Sequence, residues 1–578
     1  MPGIYGLANC RDLQGNLQKM ANVMHLYDHF HSQDLFFDNM VGASRAYIGE
    51  TDTRTEFAGH ASYTIWVEGE AYNVDEVAKN LGVKARNLAE LLLKAETLKK
   101  LDSCLNGLNG YFCAALYCSR RQKLKLMSDR HGMRLLYWYN KNGLFAWGSE
   151  VKAILAITEV DKKIDYSSYD CFMNLGHLMA ENTWFENIKL IKPASIIEYD
   201  MRSNKIIQKH YWKWSEIKPS ILTFEQAVEE LGKRFIKAVG RQFRPNERIG
   251  ISLSGGLDSR AIFAAVNHLY PDYNGYAYTF GAPNCDDITI AQEVVGRSNS
   301  WEHEVFYLKE DNWFDGRKEM VWNTDGMLDM MHMHGGEFAP VISERIDVNL
   351  NGYLGDAVLG GSYLKSKKYM NRPISKNIAA QYYKKYAEGY DSDFYINDHY
   401  DHFLFMMRGR RFINYGTVNL LPWINQRKPF FDNDVIELVF SLPDEYRQNN
   451  GLYSSMLQKY FPAYFRDIPW QQTGRPAAKI NTADKIKNKM AKMLREFMGV
   501  ESTSNYTDYP SWIREKRIAD QLGAILGNEE AAYKTFSQED FVYELLSPHL
   551  ETRNVDNSIK ILRAATIEFY LKELVYTS

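Results

Sequence analysis

The sequence predicts an α/β protein in two parts. An N-terminal α+β sandwich spans residues 1–210, and a parallel-sheet domain with a helical C-terminal part spans 211–578. Three observations point there. Short apolar runs broken by turn residues dominate the first part, strands alternate with helices over 249–350, and a helical texture takes over after about residue 362. The 69 basic and 72 acidic side chains leave a net charge of −3, which offers no electrostatic footprint for nucleic acid or an anionic membrane. No window approaches the ~18 consecutive apolar residues of a membrane span. The opening residues, Met1 to Gly6, lack the basic stretch and apolar core of a secretion signal. Six cysteines without a CxxC pair exclude a disulfide framework or zinc ribbon and suit a reducing cytoplasm.

In chain order, β-like runs are expected at 62–67, 111–117, 123–127 and 135–138, with one helix near 74–99 and a polar connector over 200–220. Thr223 and Gln226 then form a capping box ahead of Val228, Leu231, Phe235 and Val239, which sit at helical spacing. Strand 249–253 leads into a helix from about 259. Strand 276–280, helix 289–297 and strand 304–308 follow, and 347–350 makes a last short strand. Ligands on such sheets bind at the carboxyl ends of the strands. The Lys- and Met-rich stretch 485–498 reads as a solvated helix.

The sharpest motif is Ser254-Gly255-Gly256-Leu257-Asp258-Ser259, between a strand and a helix. Its glycines let backbone N–H groups approach an anion, and the helix start adds partial positive charge. The Gly-Lys-Ser/Thr of a Walker A loop is missing. Asp258 would repel phosphate unless a cation intervenes, which implies Mg²⁺ bridging it to pyrophosphate oxygens.

The string resembles the signature of the PP-loop ATP pyrophosphatases. Further blocks narrow the resemblance to the asparagine synthetase family. Thr279-Phe280-Gly281, Asp286-Asp287, Ala291 to Val294 and Trp301 to Glu304 are similar to its second block. Asn351 to Asp356 with Gly360-Gly361 resembles the third, and Arg427 to Asp432 with Ser441-Leu442-Pro443 the fourth. The resemblance implies that Leu253, Phe280, Asn351 and Gly352 contact ATP, that Ser254 to Ser259 hold its phosphates, and that Asp258 and Asp356 bind Mg²⁺. It also implies attack of a substrate carboxylate on the α-phosphate, then capture of the acyl-adenylate by a nitrogen nucleophile. His303, His332 and His334, with no paired metal ligand nearby, are expected to be structural.

The first half is similar to the family's Ntn-hydrolase-like glutaminase domain, through Met1 to Gly6, Glu68 to Asn73, Ser128 to Gly132 and Gly148 to Ala153. Two residues depart from it. Pro2 stands where the family places its nucleophilic cysteine, and Glu68 brings an anion where Asn stabilises an oxyanion. Cys10 supplies no N-terminal amine. The expectation is an inactive glutaminase retained as scaffold. Tyr353 stands where asparagine synthetases carry Glu. A Tyr there without the N-terminal Cys resembles β-lactam synthetases, in which that Tyr and a downstream Glu, here Glu388, deprotonate the attacking amine. Ala357 replaces a usual acid, and Arg475 and Lys479 are the candidates to assist pyrophosphate departure.

The expected function is an ATP-dependent, AMP-forming ligase joining a small-molecule or peptide carboxylate to an amine or ammonia. Asparagine synthesis from aspartate and a nucleotide-binding pseudoenzyme are the alternatives. A homodimer stays open, and no nucleic-acid or membrane partner is expected.

Overall fold

The computed structural model describes residues 2–49, 58–60, 62–298, 300–362, 364, 391, 393–395, 401–477 and 506–576. Stretch 485–498 and residues Glu388 and Lys479 lie outside these described residues.

Two antiparallel sheets form the first half. One has the order Ile188–Leu190, Tyr137–Lys141, Leu144–Gly148, Gly3–Ala8, Val41–Ile48 and Phe30–Ser32. The other runs Lys205–His210, Ser195–Asp200, Lys123–Ser128, Gly110–Cys118, Tyr63–Ala71 and Ala58–His60. Strand alternation assigns the faces. Ile4 and Ala8 join Cys113, Ala115 and Tyr117 in the core between the sheets, while Tyr5 and Leu7 point the other way, onto helix Leu13–Met24. Phe112, Ala114 and Leu116 likewise turn outward onto helix Leu88–Thr97. The result is a helix–sheet–sheet–helix sandwich.

Two expectations need correction. The single helix over 74–99 is two helices, Val74–Leu81 and Leu88–Thr97. Gly82 ends the first in the left-handed region (φ 74°), and the Asn87 side chain caps the second. The polar connector begins as a strand, Lys205–His210, paired with Ser195–Asp200. Its polarity is that of an exposed sheet edge rather than of a linker.

The second half carries a five-stranded parallel sheet. Its order is Trp301–Tyr307, Gly275–Gly281, Ile249–Ser252, Val348–Leu350 and Asn425–Arg427. The last strand, polar throughout, has no apolar pattern to betray it. Side-chain amides tie it in instead: Asn349 donates to Gln426 Oε1 (3.0 Å) and accepts from the Ser252 N–H (3.0 Å). Helix Phe224–Gln242 starts at the expected capping box, with Thr223 Oγ1 and Gln226 Oε1 each accepting the other's N–H (3.3 and 3.0 Å). Thr223→Ala is expected to cost about 1 kcal/mol, read from the shift in urea midpoint.

The halves pack as one body. Arg427 forks onto Glu70 (2.6 and 3.0 Å), Tyr137 and Tyr415 share a 2.6 Å hydroxyl contact, and Arg410 donates to Gly132 O (2.9 Å). Helix Ser558–Tyr576 returns to the first half, where Arg563 donates to Met173 O (3.0 Å).

Candidate active site

The strands Ile249–Ser252, Gly275–Gly281 and Val348–Leu350 all point their carboxyl ends at one cavity of about 530 Å³. Leu253, Ser254, Gly256, Asp258, Ser259, Phe280, Asn351, Gly352, Tyr353 and Asp356 line it. Residues from three separate sequence blocks therefore meet at the place where parallel sheets bind ligands.

Glycine makes that meeting possible. A Cβ on Gly352 would lie 2.6 Å from the Ser259 nitrogen, and one on Gly355 would lie 2.5 Å from Asp258 Cγ. The third block thus closes directly onto the glycine turn. The Asp356 N–H donates to Asp258 Oδ2 (2.9 Å), and the Tyr453 hydroxyl donates to Asp258 Oδ1 (3.0 Å). Burial and the adjacent Asp356 carboxylate push the Asp258 carboxyl up to about 8. Two neighbouring carboxylates in the cavity wall, one of them pushed toward neutrality, fit a divalent cation that would bring its remaining ligands from water and phosphate. Among the described residues no cluster of three or more His, Cys, Asp or Glu forms a self-sufficient metal cage.

The turn is held from beneath. Gly255 donates to Asp287 Oδ1 (2.9 Å), so its N–H points to the second block and not into the cavity. Gln471 donates to the other oxygen of Asp287 (2.7 Å), and burial raises that carboxyl. Ser259 Oγ accepts from the Ser254 N–H (3.0 Å). Arg260, fully buried, donates to the carbonyls of Gly255 (3.1 Å), Ile468 (3.2 Å) and Pro469 (2.8 Å). Tyr453, Gln471 and Arg260 were not singled out by the sequence reading. Two lie some 200 positions from the turn in helical or irregular chain, and only Arg260, directly after Ser259, stood next to a legible motif.

Tyr353 is buried, with its ring tilted on Phe431 (5.3 Å) and its hydroxyl donating to the Gly409 carbonyl. Arg475 is on an exposed turn, bridged to Trp470. Among the described residues no Lys or Arg lines the cavity. His303 bonds Thr279 (2.9 Å) below the sheet ends. His332 and His334 line the cavity itself; His334 is fixed by Met331 O and the Tyr506 hydroxyl, and burial lowers its pKa to about 3.

In the first half, Pro2 borders a second cavity of about 430 Å³ with Glu68, Arg134, His29 and Trp423. Arg45 donates to Glu68 Oε2 through both Nε and Nη2 (3.3 Å each), and Arg134 sits 3.5 Å from Oε1. Glu68 is thus a fully buried anion held by two cations. Glu70, two residues on, is committed to Arg427. Cys10 contacts Asn16 and Glu159, and burial with the Glu159 charge raises its thiol, the opposite of an activated nucleophile.

Comparison with known proteins follows the same division. A glutamine amidotransferase domain model matches residues 1–212, and an asparagine synthase model matches 230–412. A putative glutamine-hydrolyzing asparagine synthetase 2 of Methanocaldococcus jannaschii is 24% identical over 53% of this chain and 60% of its own length. The glutamine-hydrolyzing asparagine synthetase 3 of Bacillus subtilis is 24% identical over 72% of this chain and 76% of its own. Asparagine synthetase 1 of the same organism is 21% identical over 90% and 94%.

Proposed function

We propose that this chain, which belongs to the asparagine synthetase family, is an ATP-dependent carbon–nitrogen ligase that adenylates a carboxylate and transfers the acyl group to an amine or ammonia. One observation carries the reading: Asp258 and Asp356, 98 positions apart, meet on the glycine turn at the mouth of the parallel sheet. A module that only bound nucleotide would gain nothing from two repelling carboxylates there.

The chain's own groups divide the work. Phe280, Leu253 and Asn351 offer the nucleotide a wall, and Ser254, Gly256, Asp258 and Ser259 of the turn line the cavity that would take its phosphates, while Gly255 anchors the turn on Asp287. Asp258 and Asp356 would hold Mg²⁺, which supplies neutralisation of the charge that builds on the pyrophosphate as it leaves. Alignment of the carboxylate with the α-phosphorus is the remaining demand. Lys479 and Arg475 stay the proposed helpers of pyrophosphate departure. Tyr278, Leu328, Ile342, Phe412 and Ile424 offer an apolar wall, which suits a carboxylate with a larger, less charged body.

The test is ATP–pyrophosphate exchange over a panel of amino acids, peptides and uronic acids. Exchange that depends on one class of carboxylate is expected. Tight ATP binding with no exchange for any of them would mark a pseudoenzyme, and exchange with aspartate alone would mark asparagine synthesis.

We further propose that the first half no longer hydrolyses glutamine and serves as scaffold. Pro2 has no nucleophile, and Glu68 places a buried carboxylate where an oxyanion would need donors. Glutamate release from glutamine is therefore expected to stay at background, and Pro2→Cys alone is expected not to start it. Release by that single variant would contradict the role given to Glu68.

A further inference from the structure

A histidine in the cavity wall is built like a catalytic base. His332 ends the short turn Met330–His332, and Asp329 stands at the start of that turn. The Asp329 carboxylate does not cap the turn's backbone. Instead one oxygen takes His332 Nδ1, and the other takes Arg563 Nε (3.1 Å) from the C-terminal helix. Asp329 is fully buried. Burial pushes its carboxyl up, yet His332 and Arg563 outweigh that and leave it below its ordinary value. A third segment closes the arrangement. Gly176, in the first half, has φ 77°, and a Cβ there would fall 2.1 Å from Asp329 Oδ2. Gly176 O also accepts the Asp329 N–H (3.1 Å). Three distant stretches of chain thus converge to fix one carboxylate behind one imidazole.

The imidazole is not shut in. His332 is 36% exposed at its side chain and lines the same cavity as Asp258, Asp356 and Phe280. Its ring stands edge-on to Phe412 at 4.6 Å, which sets its plane. With Nδ1 committed to Asp329, Nε2 is the nitrogen left to a ligand. A carboxylate on one nitrogen fixes the tautomer that leaves the other as proton acceptor. Tyr353, by contrast, already gives its hydroxyl proton to Gly409 O.

We propose that His332 is the general base of the amine-capture step, with Asp329 as its positioning residue; this rests on the ligase reading above. In that step the protonated amine gives one proton to His332 Nε2, and its lone pair forms the new C–N bond at the acyl carbon. The C–O bond to AMP then breaks and its electron pair leaves on the AMP phosphate, while the second ammonium proton passes to solvent. Amide, AMP and two protons are the products, and His332 returns to its starting form once it releases its proton. The titratable and charged groups that face the ring are Asp329 and Arg563 behind it, His334 on its own turn, and, across Phe412, His177 and Arg408.

The test separates the half-reactions. In His332→Asn, ATP–pyrophosphate exchange is expected to persist. Capture of ammonia at pH 7 is expected to fall about 10²–10⁴-fold. Capture of hydroxylamine, already mostly unprotonated at that pH, is expected to stay within several-fold of the parent. Equal loss with both nucleophiles, or no loss with ammonia, would overturn the proposal. Side-chain ¹⁵N spectra of the unliganded protein give a second reading that needs no substrate. The Nδ1–H tautomer of His332 is expected in the parent and is expected to be lost in Asp329→Asn. An Nε2–H tautomer in the parent would overturn the dyad. Absence of exchange in the parent with every carboxylate would sink the ligase reading instead, and the spectra would still decide the dyad.

Discussion

Asp258→Asn is expected to reduce ATP–pyrophosphate exchange at least about 10³-fold, the loss of several kcal/mol of charge stabilisation in the transition state. The fold has no reason to suffer. An Asn oxygen can keep the Asp356 N–H, and its amide can face the Tyr453 oxygen, so contact with these two partners of the native carboxylate is retained. The like-charge repulsion against Asp356, which together with burial raises the native group to about 8, disappears. The melting temperature without nucleotide is therefore expected to rise while activity is lost, the usual sign of a site strained for function. A variant that melts lower and keeps exchange would show Asp258 to be a packing residue.

The second large effect is on stability, at Arg427. Its guanidinium holds Glu70 of the first half through two nitrogens, and it holds Glu247 (2.7 Å) and the Gln242 carbonyl (2.9 Å) through the third. Both Arg427 and Glu247 are almost fully buried. Among the described residues, Arg427→Met would leave Glu247 (3.1 Å) and Glu70 (3.6 Å) sharing Arg244. A cost of about 3–5 kcal/mol is expected, because removing a buried cation leaves two carboxylates to share one partly exposed guanidinium. Replacing all three groups at once, with Glu70→Gln and Glu247→Gln added, is expected to recover most of it. Urea denaturation of the three proteins decides the matter. A single variant within 1 kcal/mol of the parent would show that the network contributes little.

The contrast between these two residues explains what was legible in the sequence. Ser254 to Ser259 is continuous, lies between an apolar strand and a helix, and announces its chemistry by its glycines and one misplaced acid. Arg427 and Glu70 also sat in recognisable blocks. Their pairing, across 357 positions, had no signal in either block. The same is true of strand Asn425–Arg427, which is held by Gln426 and Asn349 amides where an apolar pattern would normally mark it. The break at Gly82 carries a local signal, since Gly before an Asn cap is a helix stop and start, but the apolar spacing of the stretch continues across it. His332 shows the limit most clearly. Its neighbour Asp329 is fixed by Arg563 and Gly176 from two distant parts of the chain, which the local spacing of Asp329 and His332 does not announce.

Oxygen transfer tests the proposed adenylation of a carboxylate directly. The acyl substrate identified by exchange is labelled with ¹⁸O in its carboxylate and turned over with ATP, Mg²⁺ and ammonia. One labelled oxygen is predicted in the AMP phosphate and none in released pyrophosphate. Label in inorganic phosphate, with ADP as the nucleotide product, would contradict the account.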